Sequence, residues 1–180
     1  MANPNHLEII RNSVQDWNRW RAGNRGLTPD LSGADFSYED LSGVDFSGMD
    51  LSYENLSSAT LIDANFDRTV LDHTDLSDAY LRNATFRQAN LNCVNLYGAV
   101  LAGADFTDCD LSEGSLKETE LADAVFHNTD LRSTTFTGAE GLTAQQLLKA
   151  QSLHGVIDLD PLLLSQVAGD RPALLSAPEP

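Results

Sequence analysis

From Leu31 to Phe136 every fifth residue is leucine or phenylalanine, 22 positions in succession without an exception. The position two before each of these is usually small, as at Ala34, Val44, Ala59, Ala64, Thr69, Thr74, Ala79, Ala84 and Cys109. The other three positions are mostly Asp, Asn, Ser, Gly, Arg or Thr. A period of five fits neither a helix at 3.6 residues per turn nor a flat strand at two. It fits a chain that turns a corner every five residues, with one large and one small side chain pointing inward on each side.

The order of Leu and Phe gives the number of sides. Phe46, Phe66, Phe86, Phe106 and Phe126 are spaced by twenty, and so form one all-phenylalanine ladder if four sides make a coil. Leu31, Leu51, Leu71, Leu91, Leu111 and Leu131 form a second ladder, and Leu41, Leu61, Leu81, Leu101 and Leu121 a third. The fourth runs Phe36, Leu56, Leu76, Leu96, Leu116, Phe136, with phenylalanine at its ends. Segregation at a period of four fives predicts a four-sided coil.

The stretches Ala34-Asp35-Phe36-Ser37, Ala89-Asn90-Leu91-Asn92 and Ala104-Asp105-Phe106-Thr107 carry a clear likeness. Through them the chain resembles the pentapeptide-repeat family, with its A(D/N)LXX consensus, over residues 29–140. The resemblance implies an all-β solenoid, a right-handed quadrilateral β-helix with four repeats per coil. The 22 repeats then make about five and a half coils, a rod roughly 26 Å long at about 4.8 Å per coil. Each buried Leu or Phe contributes roughly 1.5–3 kcal/mol against chain entropy.

A solenoid needs caps over its terminal coils. Residues 1–28 are expected to supply an N-terminal helical cap. Leu7, Ile10, Val14, Trp17 and Trp20 recur at helical spacing, with Asn5 as N-cap, Glu8 completing a capping box and Gly23 as the stop. Trp17-Asn18-Arg19-Trp20-Arg21 also resembles the leader of bacterial members of the family, notably cyanobacterial ones. The repeat segment is 29–140. Past Gly141 the pattern breaks. In 141–171, Thr143 is expected to cap a helix running to Leu153, and Asp160-Pro161 to open a second short helix. This segment reads as a cap, as a dimerisation segment, or both. A monomer and a homodimer through residues 141–171 are therefore both open. The tail 172–180 reads as disordered.

Of 27 acidic and 11 basic residues, 21 acidic and 5 basic fall between Pro29 and Glu140, so the whole formal charge of −16 sits on the repeats. Such a surface repels nucleic acid phosphates and anionic membranes and suits a basic protein partner. The N-terminal ten residues show no basic run followed by an apolar stretch, and no apolar segment reaches spanning length, so the chain reads as cytoplasmic.

Enzymatic constellations are not evident. The aspartates fall at fixed positions before the plugs, where they suit turns and side-chain-to-backbone bonds. His6, His73, His127 and His154 share no spacing, and neither C-x-x-C nor a zinc-like cluster occurs. Cys109 falls at an inward site and Cys93 at an outward one. No catalytic, cofactor or metal residues are expected, because a core filled by Leu and Phe has no room for substrate.

Two surface features remain. The side carrying Leu31 through Leu131 is the most acidic, with Asp30, Asp50, Asp72, Asp110, Glu113 and Asp130 against Arg132. It is either a solvated face or a docking stripe for a basic partner. The related stretches Ser37-Tyr38-Glu39-Asp40-Leu41 and Ser52-Tyr53-Glu54-Asn55-Leu56 place Glu39 and Glu54 at nominally inward sites. An unpaired buried carboxylate is costly. Each must reach solvent or an arginine of the N-terminal helix, or else form a small binding patch with Tyr38 and Tyr53. Met49 breaks the small-residue rule as a gap-filler near the cap.

Function then divides two ways. The first reading is a non-enzymatic interaction or scaffold module with an unnamed protein partner. The alternative, implied by the family resemblance, is a DNA-mimicking inhibitor or protector of DNA gyrase or topoisomerase. The short rod argues against the second.

Overall fold

A computed structural model describes residues 2–177, which form a right-handed quadrilateral β-helix closed by helices at both ends. All 22 plugs from Leu31 to Phe136 are buried, none more than 3% exposed. Successive coils pair in parallel twenty residues apart: Asp35 with Asn55, Asn55 with Asp75, Asp75 with Asn95.

The corners explain the period. In all 22 repeats the second residue after the plug has a positive φ, between 55° and 74°. The next amide donates back to the plug carbonyl, as Ala34 does to Leu31 at 3.0 Å. This is a turn with its third residue left-handed, the type II pattern. Glycine fills that position at 33, 43, 48, 98, 103 and 138; elsewhere residues as bulky as Tyr38, Tyr53 and Arg68 hold it. The aspartates before the plugs are turn-makers: Asp40 and Asp105 accept from the amides of Ser42 and Thr107, two residues on, at 3.1 and 3.0 Å.

Polar residues at inward sites satisfy themselves within the stack. The hydroxyls of Thr69, Thr74, Thr129 and Thr134 donate to plug carbonyls of the coil below, at 2.7–2.9 Å. Cys109 occupies the same kind of site and its thiol reaches the Phe86 carbonyl. Met49 is buried at 1% exposure, as expected of a gap-filler.

The N-terminal cap is two helices rather than one. Helix α1 spans Pro4–Asn12 and is capped by Asn3, not Asn5, because Pro4 takes the first helical position and Asn3 accepts from the Asn5 amide. Ser13 then leaves helical geometry and caps α2, Val14–Gly23, through the Asp16 amide. Gly23 is the last helical residue and Asn24 the C-cap. The apolar stripe survives the break, with Ile10 and Trp17 buried against the first coil.

At the other end α3 is a single turn, Ala144–Leu147, opened by a Thr143–Gln146 capping box. It does not run to Leu153, because the chain rejoins the stack. Ser152 pairs with Asp130 and Ile157 with Thr135, twenty-two residues apart instead of twenty. Leu153 is a further plug with no exposure, and Gly155 takes the left-handed corner at φ 72°. Helix α4, Pro161–Asp170, is capped by Asp160 and buries Val167. The segment from Pro172, expected to be disordered, starts as a 3-10 turn, Pro172–Leu175. Leu174 is buried and its carbonyl accepts from the Leu153 amide at 2.7 Å, which ties the turn to the last coil. Residues 178–180 of that tail lie outside the described residues.

Candidate functional site

The four-sided coil brings the six acidic residues onto one face, in columns parallel to the rod. Asp30, Asp50, Asp110 and Asp130 share the column just before the plugs, interrupted by Val70 and Asn90. Asp72 lies in the column just after them. Glu113 lies in the corner column, which runs Tyr53, His73, Cys93, Glu113, Ser133.

Most of these carboxylates are anchored to their own turns. Asp30, Asp50 and Asp110 accept from the amides of Ser32, Ser52 and Ser112 at 3.0 Å, and Asp50 and Asp110 also from the hydroxyls at 2.6 and 2.5 Å. Bonds from the Ser32 and Ser52 side chains and then their amides hold Asp30 and Asp50 below the usual carboxylate range. Asp72 sits 3.0 Å from His73 Nδ1. Asp130 is buried at 8% exposure and takes the Arg132 guanidinium at 2.5–2.9 Å, which raises the arginine further. Glu113 meets the Cys93 thiol at 3.8 Å. Burial, then the carboxylates of Glu113 and Asp72, push that thiol up.

Tyr38, Glu39, Tyr53 and Glu54 fall on two different faces. Tyr38 and Glu39 lie on the Phe36 side, where Tyr38 is 82% exposed and Glu39 is half-buried and 3.6 Å from Arg11 of α1. Tyr53 lies on the Leu51 side and its ring stacks on His73 at 5.1 Å. Glu54 is buried, and its Oε1 accepts from the Gly33 amide at 2.7 Å. In neighbouring turns that amide donates to the next coil's backbone, as Tyr38 does to Ser57. Glu54 therefore replaces a backbone rung where the first coil lifts away. Burial raises its pKa, and the Gly33 amide opposes the shift.

One constellation forms only in the folded chain. A cleft of about 520 Å³ opens where the end of α2 meets the Phe46 side, and Arg21, Arg25 and Arg68 all line it. These residues are remote in sequence, so periodicity alone gave no sign of it.

No group of three His, Cys, Asp or Glu among the described residues is placed to hold a metal ion. No helix among them is long and apolar enough to cross a membrane.

The family model for pentapeptide repeats matches in eight copies between residues 30 and 138. Solved structures with similarity include a pentapeptide repeat protein from the Arabidopsis thaliana thylakoid lumen, at 24% identity over 74% of this chain and 77% of that one, TM-score 0.37. QnrB1, a plasmid-mediated fluoroquinolone resistance protein, matches at 22% identity over 74% and 83%, TM-score 0.38. The pentapeptide repeat protein Rfr23 from the cyanobacterium Cyanothece 51142 matches at 28% identity over 53% and 63%, TM-score 0.28. No curated protein matches at a significant level. The repeat match spans more than half of the chain and coincides with the stacked coils, so the chain belongs to the pentapeptide repeat family.

Proposed function

We propose that this protein is a non-enzymatic interaction module whose Leu31 face docks a basic protein surface. The observation behind this reading is the anchoring of the carboxylates. Asp30, Asp50, Asp110 and Asp130 are fixed by bonds to their own turns, on a stack filled with Leu and Phe. A charge array already held in place loses little side-chain entropy on binding and steers an oppositely charged partner. The interior offers no room for substrate. Two free thiols, Cys93 and Cys109, are in keeping with a cytoplasmic setting.

The test is capture from the native cell by immobilised chain, native against Asp50→Asn/Asp110→Asn/Glu113→Gln. Asparagine already makes the same turn bond at Asn55 and Asn90, so the fold is kept. Salt-sensitive capture of a basic protein, lost in this variant and kept in Asp63→Asn/Asp123→Asn on the Leu61 side, supports the reading. Equal capture by all three forms removes the face from consideration.

The net charge of −16 on an unbroken run of coils favours a second reading, a DNA-like surface directed at DNA gyrase or topoisomerase. Against it, about 26 Å of repeats matches only about eight base pairs. A supercoiling assay with purified gyrase decides: no effect at micromolar protein removes this reading.

The segment 141–171 supports a cap better than a joint between copies, because Leu147, Ala150, Leu153 and Val167 all face inward. Leu162 and Leu164 remain exposed on α4, and light scattering after gel filtration tests the homodimer.

A further inference from the structure

We propose that the cleft between α2 and the Phe46 side is a binding site for a small organic oxyanion, a phosphate or carboxylate group on a body of roughly nucleotide size. The proposal is independent of the acidic face and of the partner it docks.

The first ground is the placement of positive charge in a chain of net charge −16. Arg11, Arg19, Arg21, Arg87 and Arg132 pair with carboxylates. Among the described residues that leaves Arg25, Arg68, Arg82, Lys117, Lys149 and Arg171 without an acidic partner. Two of these six, Arg25 and Arg68, line the same cleft, and Arg21 joins them there. A guanidinium presents several donors in a planar fork that matches oxyanions.

The second ground is how these arginines are held. Arg21 is fixed through the Ser47 carbonyl and hydroxyl, yet its Nε is buried with no hydrogen-bond partner and lies 3.8 Å from Asp45. Arg68 projects from a corner at φ 60°, the geometry common to every repeat. The corner one coil before it is Gly48, where an added Cβ would meet nothing within 4 Å. The floor under Arg68 is thus open.

The third ground is the lining. Thr28 and Ser47 supply hydroxyls, and Leu27, 58% exposed, offers an apolar wall to the body of a ligand. The volume falls within the range of small-molecule sites. Two features oppose an anion: the negative end of α2 and the Asp45 carboxylate. Arg21 and the Ser47 amide already engage Asp45. The carboxylate of Asp67, next to Arg68, accepts from the Arg87 amide at 3.1 Å.

The experiment is calorimetric titration of the full chain with inorganic phosphate, citrate and AMP, against sodium chloride of equal ionic strength. Native chain is expected to bind at least one of the three, and Arg25→Gln/Arg68→Gln to lose about tenfold or more in affinity. Gly48→Asp places a carboxylate in the cleft at a corner type that Asp63, Asp78 and Asp108 already occupy, so it should fold and abolish binding. Arg82→Gln, on another side, should bind as native. Citrate binding alone assigns a carboxylate ligand; phosphate and AMP binding assigns a phosphoryl one. No heat beyond the chloride control up to about 10 mM, or the same affinity in Arg25→Gln/Arg68→Gln, or an equal loss in Arg82→Gln, overturns the proposal.

Discussion

The indole Nε1–H of Trp17 donates to the backbone carbonyl of Asp45 at 2.9 Å, while its rings close the Phe46 ladder at 6.5 Å. That carbonyl lies on the open edge of the first coil, where no earlier coil offers an amide. Other side chains of the cap serve the same edge: Arg11 donates to the Asp35 carbonyl, Arg21 to Ser47, and Asn18 Oδ1 accepts from the Asp45 amide at 2.9 Å. The cap thus covers apolar core and also ends the backbone ladder, which would otherwise invite edge-to-edge association. Trp17→Ala is expected to cost about 3–5 kcal/mol and to promote self-association. Trp17→Phe keeps most of the packing but orphans the carbonyl, costing about 1–3 kcal/mol. Urea unfolding with gel filtration checks both; an unchanged Trp17→Ala protein would show that α1 and the rest of α2 suffice.

The phenylalanine ladder makes a second prediction. Phe66, Phe86, Phe106 and Phe126 stack at 5.0–5.4 Å with their planes within 5° of parallel. Phe86 has a stacked neighbour on each side, so Phe86→Ala should cost about 3–5 kcal/mol. Phe86→Leu, which puts the commoner plug at this site, should cost about 1–3 kcal/mol through two lost aromatic pairs. Denaturant midpoints measure both, and a Phe86→Leu protein as stable as the native one would mean that stacking contributes nothing beyond volume.

Glu54 makes stability depend on pH. Its folded pKa is raised, chiefly by burial, so the folded state holds a proton more tightly than the unfolded chain does. Stability from this group is fully present below the unfolded pKa of about 4.3 and is lost as pH rises through the folded value. Glu54→Gln keeps an oxygen to accept from Gly33 and removes the charge. It should melt above the native protein at pH 8 and level with it at pH 4. A constant gap between the two melting curves across that range would contradict the role given to burial.

How much the sequence reveals follows from how the information is written along the chain. The plugs are legible because burial demands the same residue type at a fixed interval from Leu31 to Phe136, and the stacking partners lie one coil apart. The coil through Leu153 and Ile157 is not legible at that interval, because α3 inserts two residues and moves the pairing from twenty to twenty-two. A signal existed in Leu153-His154-Gly155-Val156, a plug followed by a corner glycine and a small inward residue. The break at Ser13 was hidden because Leu7, Ile10, Val14 and Trp17 keep helical spacing across it. The acidic face could be read from the period alone. The cleft could not, since Arg25 and Arg68 meet only when the cap folds onto the second coil.

The two cysteines should differ sharply in reactivity, and this tests the inward and outward assignment. Cys109 is buried, and burial pushes its thiol up to about 12. It serves as a core residue, taking the place threonine holds at Thr69 and Thr129, with its thiol on the Phe86 carbonyl. Cys93 is half-buried on the acidic face and is also shifted upward, by burial and by Glu113 and Asp72. The thiolate is the reactive form, so both should be slower than a free thiol. At pH 8 an aromatic disulfide reagent should titrate one thiol slowly in the native protein and the second only in denaturant. Glu113→Gln removes a neighbouring negative charge and the 3.8 Å contact, and should speed Cys93 by about twofold to fivefold. Two fast thiols in the native chain would mean that the Phe106 corner opens readily. A rate unchanged by Glu113→Gln would mean that burial alone sets the Cys93 thiol.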